Sequence, residues 1–510
     1  MRDAGRRRRL VRQLATGYWG VLVVAVVAVY VALSNPIGFD GSMNLQVQQS
    51  LAEGNGYLRF YGMTTLFPIE VQTNGVPIVL GGLFIAVFGQ HNLAYQATNV
   101  VFLVGLGALI VALIRGRWRN ALMLAVLFGT PMLFHLSLNG LGEFPLLVFE
   151  LAAITSLSSV LARSSGRRAV CAAGLLVGLA LTTKVVGVAV LLPLGVVLAI
   201  AWRRGLVRPA AAGWWSAGVA LPVVAWEGFR LYGLGSPGAW WAWWRSHTGE
   251  VAYQAGANDR AQQLAFIDGV WSRVSTLASG FDTGGWTLVV LGVVIFSVGG
   301  RELWRRRSSA DVERWMVQCG LLAFSASYFA WWILVTPDEK ARLRRVIIGI
   351  VVLLVLVAML VADSETRRES TRPVLALAGL LLIAGTVVDN ARVVLAQDRQ
   401  RLVQTEAAAE WVRGLSPSAR LYGVGWWQAP AVSAYSQRGF YDLYDVDRCL
   451  LDPARDYFVI DEYSRTIAFK GQTTGEIEQF IDARLVDRFE PSESVEVWTV
   501  GPPSRCDAGG

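Results

Sequence analysis

The chain has 510 residues, 54% of them hydrophobic, and a mean hydropathy of +0.44, which excludes a soluble globular protein of this size. Its net charge of +8 does not indicate nucleic-acid binding, because the arginines lie in short clusters between apolar segments, as in membrane proteins. We therefore predict a mainly α-helical, polytopic membrane protein whose surroundings include the lipid bilayer and no nucleic acid.

Apolar segments long enough to cross a membrane recur through most of the chain. They lie near residues 17–34, 93–114, 121–137, 144–162, 169–183, 185–202, 210–231, 286–300, 315–336, 346–362 and 373–390. This pattern predicts a bundle of about eleven transmembrane helices. The first segment could instead be a cleaved signal peptide, because Arg6–Arg9 precede it and Ala32 and Ser34 form a small-x-small site.

The arginine clusters predict the orientation of the chain in the membrane. If the N-terminus is cytoplasmic, every cluster between the segments is cytoplasmic too, as the positive-inside rule requires. The clusters are Arg115/Arg117/Arg119, Arg163/Arg167/Arg168, Arg203/Arg204/Arg208, Arg301/Arg305/Arg306/Arg307 and Arg367/Arg368/Arg372. This topology requires the short apolar stretch 76–88 to be re-entrant or surface-embedded, and it places the C-terminus on the extracytoplasmic side of the cell membrane.

Asp40 is an isolated carboxylate a few residues beyond the first apolar segment, in the predicted first outer loop, 35–92. Ser42, two residues later, is a good helix N-cap. The apolar residues on one face of the helix that would follow are Met43, Val47 and Leu51. Such an amphipathic helix would lie along the membrane surface and hold Asp40 at the level of the lipid headgroups, where a lipid-anchored substrate and a water-soluble acceptor can meet.

Glu143 begins an apolar segment on the same outer face, close to His135 and Asn139. An acidic residue so near hydrocarbon is costly, which suggests function. The alternative is an acid that complements the dipole of the helix. Glu53, in the first outer loop, is more typical of an ordinary loop acid; we treat it, with His135 and Asn139, as a candidate substrate contact.

Basic residues on the outer face are exceptions to the positive-inside rule. They are Lys184 in the short turn TTKVVG, and Arg342, Arg344 and Arg345 in TPDEKARLRRVII. Each could be an anchor whose charged end reaches the membrane boundary. Two independent exceptions on one face favour an anionic ligand instead.

Four tryptophans lie close together in the predicted large outer loop, 232–285. They are Trp240, Trp241, Trp243 and Trp244, and Arg245 and His247 follow them. An aromatic belt at the membrane interface is the simpler interpretation. The functional one is a platform for a polyprenyl chain or a sugar, formed by residues such as Trp240 and Trp243, with Arg245 and His247 within reach of a phosphate.

The composition changes to a soluble pattern near Ala391, which divides the chain into a membrane domain, 1–390, and a small extracytoplasmic α/β domain, 391–510. The predicted elements are a helix over Leu402–Leu415, strands over Arg420–Val424 and Asp456–Asp461, a helix over Thr474–Leu485 and a final edge strand, SVEVWTV. We expect this domain to support acceptor binding or stability.

Cysteines and histidines are too few to indicate a metal or redox site. Cys449 and Cys506 fall in the polar tail and could form a disulfide outside the membrane, whereas Cys171 and Cys319 lie in apolar segments. The chain has three histidines, no HExxH and no CxxC, so no metal site is predicted and any metal would be held by carboxylates.

The order of these features resembles the GT-C membrane glycosyltransferases, particularly the branch that contains the protein O-mannosyltransferases and lipid A aminoarabinose transferases. The resemblance covers roughly the first 360 residues. The motifs that carry it are the Asp40 loop, the segment NGVPIVLGGLFIAVFG, GEFP with Glu143, TTK with Lys184, and the outer arginines before Val346.

This resemblance implies a polyprenyl-phosphate monosaccharide donor, an acceptor hydroxyl on a protein, glycolipid or cell-wall glycan, and inversion at the anomeric carbon. Asp40 would be the general base, and Glu143 would orient the acceptor or the sugar, or hold a divalent cation with Asp40. The residues that would neutralise the leaving phosphate are Lys184, Arg342, Arg344 and Arg345. Gly41 stands where this family often has a second acid, which weakens the argument for a metal.

Two other classes of protein remain open. A lipid-linked saccharide flippase or transporter also has many helices, but here the charges lie at the outer boundary of the membrane and no internal repeat is apparent. An assembly or sensor protein would use the C-terminal domain as its working part and the helices as an anchor.

Overall fold

The computed structural model describes residues 17–61, 64–69, 71, 73–130, 133, 140, 142–254, 270–275, 285–334, 346–364, 399–424, 429–442, 451–461, 485–492 and 495–500. In chain order, the helices before residue 399 are α1 (Trp19–Ser34), α2 (Phe39–Ala52), α3 (Val76–Phe88), α4 (Asn92–Leu113), α5 (Arg119–Phe128), α6 (Glu143–Ala162), α7 (Arg167–Thr183), α8 (Leu191–Arg203), α9 (Pro209–Leu234), α10 (Pro237–Gln254), α11 (Gly285–Arg305), α12 (Val312–Leu334) and α13 (Ile347–Ser364). The fold is mostly helical, as predicted.

In these ranges, four helical segments are long and apolar enough to cross a membrane. They are α4, α6, α12 and Val185–Arg203, in which the 3-10 helix Val185–Val190 continues into α8. Every segment predicted to cross the membrane overlaps a helix, except 373–390, which lies outside the described residues. The chain is thus a multi-pass membrane protein by its apolar helices, while the number of crossings, about eleven, stays a prediction.

The short helix α3 has the length and the start that its sequence predicts. It has 13 residues, about 20 Å, which is less than the thickness of the hydrocarbon core. Pro77 lies in its first turn, where a backbone N–H would have no hydrogen-bond partner within the helix, so its absence does not destabilise the helix. The length supports the prediction that this segment does not cross the membrane.

Helices α7 and α9 pack with their backbones nearly in contact. A Cβ on Gly174 would lie 2.1 Å from the carbonyl oxygen of Trp215, and a Cβ on Gly178 would lie 2.4 Å from that of Val219. The GxxxG spacing of the two glycines permits this approach. The contact holds α7, which ends next to Lys184, against α9.

The arginine clusters within the described residues lie together at one end of the bundle, and the cluster Arg367/Arg368/Arg372 lies outside the described residues. Ion pairs at this end are Arg115–Asp311 (2.5 Å), Arg163–Glu313 (2.8 Å) and Arg314–Asp363 (2.6 Å). They join the ends of α4, α6 and α13 to the start of α12. This arrangement agrees with the prediction that these clusters share one side of the membrane. Their assignment to the cytoplasmic side stays a prediction.

A five-stranded sheet lies in the C-terminal part. Its elements are α14 (Arg399–Gly414), β3 (Arg420–Val424), α15 (Ala429–Ser436), β4 (Phe440–Asp442), β5 (Asp456–Asp461), β6 (Leu485–Ser492) and β7 (Val495–Val500), after a small hairpin of β1 (Leu58–Arg59) and β2 (Thr65–Leu66) in the first loop. The strand order is β4-β3-β5-β7-β6, with β3 parallel to β4 and β5, and β7 antiparallel to β5 and β6.

The predicted helix near 402–415 and the strands β3 and β5 are confirmed, and the predicted helix 474–485 lies outside the described residues. The prediction that β7 is an edge strand was wrong. Strand β6 forms a hairpin with it and takes the edge position, so β7 lies between β5 and β6.

The sheet packs against the loop 35–92, which was predicted to be the first outer loop. Side chains from both regions, such as Val47 and Tyr61 from the loop and Phe440 and Val432 from the C-terminal part, belong to one buried apolar cluster. A single bridge also pairs the backbones of Tyr61 and Phe440. The division of the chain near residue 391 stays a prediction, but the two parts share a core.

Candidate active site

Asp40 lies in the first turn of α2, half-buried, where a carboxylate complements the helix dipole. The N-cap is Gly38, so the prediction that Ser42 caps the helix was wrong. Ser42 lies inside the first turn, where its hydroxyl donates to the Gly38 carbonyl oxygen at 2.8 Å. The side chain of Asp40 is thus presented by a helix rather than by an irregular loop.

Helix α2 is buried on all sides. Every residue from 41 to 50 is buried, the apolar Met43 and Val47 together with the polar Asn44 and Gln46. The prediction of a single apolar face on a membrane-surface helix was wrong, because α3 and α15 both pack against α2. Asp40 is therefore attached to a rigid, enclosed element.

Glu143 and Lys184 form an ion pair, with Lys184 Nζ 2.6 Å from Glu143 Oε1. Glu143 is the first residue of α6, and Lys184 is the extended residue that ends α7. Their side chains are only 14% and 11% exposed. The second carboxylate oxygen of Glu143, Oε2, is buried and has no hydrogen-bond partner within the described residues.

The loop that leads into Glu143 lies directly against the start of α2. A Cβ on Gly140 would be 3.1 Å from the Cα of Gly41, the residue after Asp40. Asn44 Nδ2 donates to the Gly140 carbonyl oxygen at 2.5 Å and to Thr73 Oγ1 at 3.2 Å. The backbone that carries Asp40 is therefore in contact with the backbone that carries Glu143.

Residues 73–75 connect the same region to Lys184. The Asn74 N–H donates to the carbonyl oxygen of Thr183 at 2.8 Å. Gly75 has φ +65°, and a Cβ there would lie 3.0 Å from the carbonyl oxygen of Thr182, so glycine is required. Tyr57 OH donates to Asn74 Oδ1 at 2.9 Å, and burial raises the pKa of Tyr57 well above its ordinary value, so the hydroxyl keeps its proton.

Asp40, Glu143 and Lys184 are therefore brought to one region, although they come from three separate parts of the sequence. Glu143 begins α6, and the Arg163–Glu313 ion pair marks its other end, about 30 Å away for a helix of 20 residues. The candidate site and the described arginine clusters thus lie at opposite ends of the bundle.

Glu150 is a buried acid that was not among the residues predicted from the sequence. It lies within α6 with no exposed surface, and neither carboxylate oxygen has a hydrogen-bond partner within the described residues. Tyr328 OH and Trp332 Nε1, on the neighbouring α12, are also buried and have no hydrogen-bond partner within the described residues. Glu150 follows Glu143 by about two helical turns, so both lie on one face of α6.

The prediction that charged side chains lie only at the outer boundary was wrong, because Glu150 is deep in α6. The signal for it was present in the sequence as a single acid inside an apolar segment of membrane length. Such residues are costly and often functional.

Trp243 packs between Arg230 and His247. The guanidinium carbon of Arg230 is 3.8 Å from the ring centroid of Trp243, and the His247 ring stacks on Trp243 at 4.6 Å. Trp243 Nε1 donates to the Phe67 carbonyl oxygen at 2.6 Å. Burial lowers the pKa of His247, and the nearby charge of Arg230 lowers it further. These contacts hold α10 against the loop 35–92.

Glu227 is the acidic centre of the same aromatic cluster. It forms an ion pair with Arg230 at 2.5 Å and accepts hydrogen bonds from Trp240 Nε1 at 2.9 Å and Trp244 Nε1 at 3.0 Å. Arg245 is exposed and lies outside this network. The geometry indicates a packing role for Trp240 and Trp243, and substrate contact by any of these residues stays a prediction.

The remaining predicted residues are either distant or not described. Glu53 is the exposed C-cap of α2, at the opposite end of that helix from Asp40, where it accepts hydrogen bonds from Asn55 and Gln90. Residues that lie outside the described part of the chain are His135, Asn139, Arg342, Arg344, Arg345, Cys449 and Cys506. Their roles, including the disulfide, stay predictions.

Within the described ranges, no group of three or more His, Cys, Asp or Glu side chains could hold a metal ion. Cys171 and Cys319, as predicted, lie in apolar helices, and both are unpaired and partly buried. A divalent cation held by Asp40 and Glu143 stays an alternative to the orienting role expected of Glu143.

The sequence matches no protein-family model, and no curated protein sequence matches it. Its structure is similar to that of ArnT from Cupriavidus metallidurans bound to undecaprenyl phosphate, with a TM-score of 0.51 and 14% identity over 95% of this chain and 98% of that one. The apo state of the same protein gives a TM-score of 0.52 and 13% identity over the same shares. The chain therefore has the GT-C fold that its sequence resemblance predicted.

Proposed function

We propose that this protein is a membrane glycosyltransferase that transfers a monosaccharide from a polyprenyl-phosphate donor to an acceptor hydroxyl on the extracytoplasmic face. The observation that carries the proposal is the convergence of the Asp40 turn with the Glu143–Lys184 pair at one end of a GT-C bundle. The solved ArnT structure, which has this fold, is bound to undecaprenyl phosphate, and this supports a lipid-phosphate ligand.

Asp40 would act as the general base. Its carboxylate takes the proton of the acceptor hydroxyl while the acceptor oxygen bonds to the anomeric carbon and the bond from that carbon to the phosphate oxygen breaks. Attack opposite the leaving group inverts the anomeric carbon. The first turn of a buried helix suits this task, because a rigid support keeps a catalytic group within the small tolerance that the chemistry needs.

Lys184 would neutralise the polyprenyl phosphate as it leaves, with Arg342, Arg344 and Arg345 as further cations proposed from the sequence. The ammonium of Lys184 contacts Glu143, so an arriving phosphate would compete with that carboxylate for it. Glu143 Oε2, which has no partner within the described residues, would orient a hydroxyl of the sugar or the acceptor.

A lipid-linked saccharide flippase is the second candidate, and Glu150 is the observation that favours it. A buried acid within a membrane helix is typical of transport pathways. We rank it second because it gives no role to the convergence of Asp40, Glu143 and Lys184.

Both functions can be tested in one preparation. The purified protein is incubated with a panel of radiolabelled polyprenyl-phosphate monosaccharides and a membrane extract that supplies protein, glycolipid and glycan acceptors. Transfer of label to an acceptor would support the enzyme and identify the donor. Movement of labelled lipid across a vesicle membrane, without any transfer, would support the flippase.

A further inference from the structure

The turn that leads from α1 into α2 is held by two side chains from distant parts of the chain. Asn92 Nδ2 donates to the carbonyl oxygens of Ala32 at 2.6 Å and Asn35 at 3.0 Å. Asn92 Oδ1 accepts a hydrogen bond from Tyr435 OH. The same Tyr435 oxygen accepts from the Ile37 N–H at 3.2 Å. One phenol thus joins both sides of the turn that ends three residues before Asp40.

These groups are buried, so the loss of any of their hydrogen bonds would lower the stability of the turn. Ile37 is 3% exposed, Tyr435 6% and Asn92 8%. Burial raises the pKa of Tyr435 well above its ordinary value, so the hydroxyl keeps the proton that it donates to Asn92. Removing this oxygen would leave the Ile37 N–H and Asn92 Oδ1 without this partner in a buried place.

Tyr435 belongs to α15, which also follows α2 along its length. Gln46 Nε2 donates to Ser433 Oγ at 3.4 Å, and Gln49 Nε2 donates to the Ala434 carbonyl oxygen at 2.9 Å. Gln46 and Gln49 are one turn apart, so they present one polar face of α2 to α15. The C-terminal part covers this face of α2.

We propose that Tyr435 is a positioning residue, through which the C-terminal α/β part fixes the Asp40 turn in its working geometry. This inference depends on the proposed function, because it gives Asp40 the role of the base. A displacement of about 1 Å at a reacting group can cost about 100-fold in rate. A loosened turn therefore lowers kcat without removing any contact to the donor.

The test compares Tyr435→Phe with Tyr422→Phe in the full-length protein. Tyr435→Phe removes only the hydroxyl and keeps the edge contact of the ring with Tyr95, at 5.4 Å between centroids. Tyr422 is a matched control, because it is 3% exposed and stacks on Phe458 within the sheet, away from α2. We expect Tyr435→Phe to lower kcat about 10- to 100-fold with the donor KM within about twofold. Tyr422→Phe should leave both constants unchanged.

Hydrogen exchange of the peptide 36–42 provides a second readout that does not need activity. Exchange in this peptide should accelerate in Tyr435→Phe and not in Tyr422→Phe. Equal exchange in the two variants, or an unchanged kcat in Tyr435→Phe, would overturn the inference. A wild-type protein that transfers no sugar would overturn the proposed function instead, and the exchange comparison would still decide whether Tyr435 holds the turn.

Discussion

Breaking the Glu143–Lys184 ion pair should destabilise the protein by a predictable amount. Removing one partner of a buried ion pair costs about 3–5 kcal/mol, because the other charge is left without compensation. The two side chains are 14% and 11% exposed, so water can reach them to a small extent and we expect the lower end, about 3 kcal/mol, for Lys184→Met. The double variant with Glu143→Gln should cost less than the sum of the single variants, with a coupling energy of about 2 kcal/mol.

The assay is a double-mutant cycle from equilibrium unfolding in detergent micelles. The control is the Arg163–Glu313 pair at the other end of α6, in which Arg163 is 67% exposed. Solvent weakens such a pair, and its coupling energy should be far smaller than that of Glu143–Lys184. A coupling energy for Glu143–Lys184 no greater than that of the control would refute the claim that this pair is an enclosed, interacting unit.

Three further predictions follow from buried groups. Because the pKa of His247 is lowered, first by burial and then by Arg230, the stability that neutral His247 contributes should be present above its ordinary pKa of about 6.5 and lost as the pH falls below that value. In His247→Gln, the unfolding temperature should therefore change less between pH 7 and pH 5 than in the wild type, and equal changes would contradict this account. Gly178→Leu should separate α7 from α9, since even a Cβ would lie 2.4 Å from the Val219 carbonyl oxygen, and the protein should lose its folded fraction in size-exclusion chromatography; a stable variant would contradict this packing. Glu150→Leu should raise the free energy of unfolding by about 1–3 kcal/mol, because it removes a buried polar group that has no partner within the described residues, and a lower unfolding temperature would count against that description.

The sequence alone predicted the elements that depend on local pattern. Long apolar segments gave the positions of helices such as α4 and α12, and alternating or apolar runs gave β3 and β5. The order of five motifs along the chain, three of which contain Asp40, Glu143 and Lys184, gave a family resemblance, and the fold agrees with it. The helices and strands are features that a window of a few tens of residues can specify.

Features that depend on distant partners could not be predicted in this way. The burial of the α2 face that contains Gln46 and Gln49 could not be predicted, because the helix that contacts it, α15, lies almost 400 residues later. The internal position of β7 depends on the pairing of β6, whose own sequence gave no clear strand signal. Glu150 differs from these cases, since its position in an apolar segment was sufficient to mark it.

The central claim is that Asp40 removes the proton of the acceptor. The most direct measurement is the rate of sugar transfer by the wild type, Asp40→Asn and a control, Glu410→Gln, in which a carboxylate on the exposed side of α14 is neutralised. The account predicts that Asp40→Asn remains folded, binds the lipid-phosphate donor and loses at least about 100-fold in kcat, as expected for a general base, whereas Glu410→Gln is unaffected. Transfer by Asp40→Asn at the wild-type rate would contradict it.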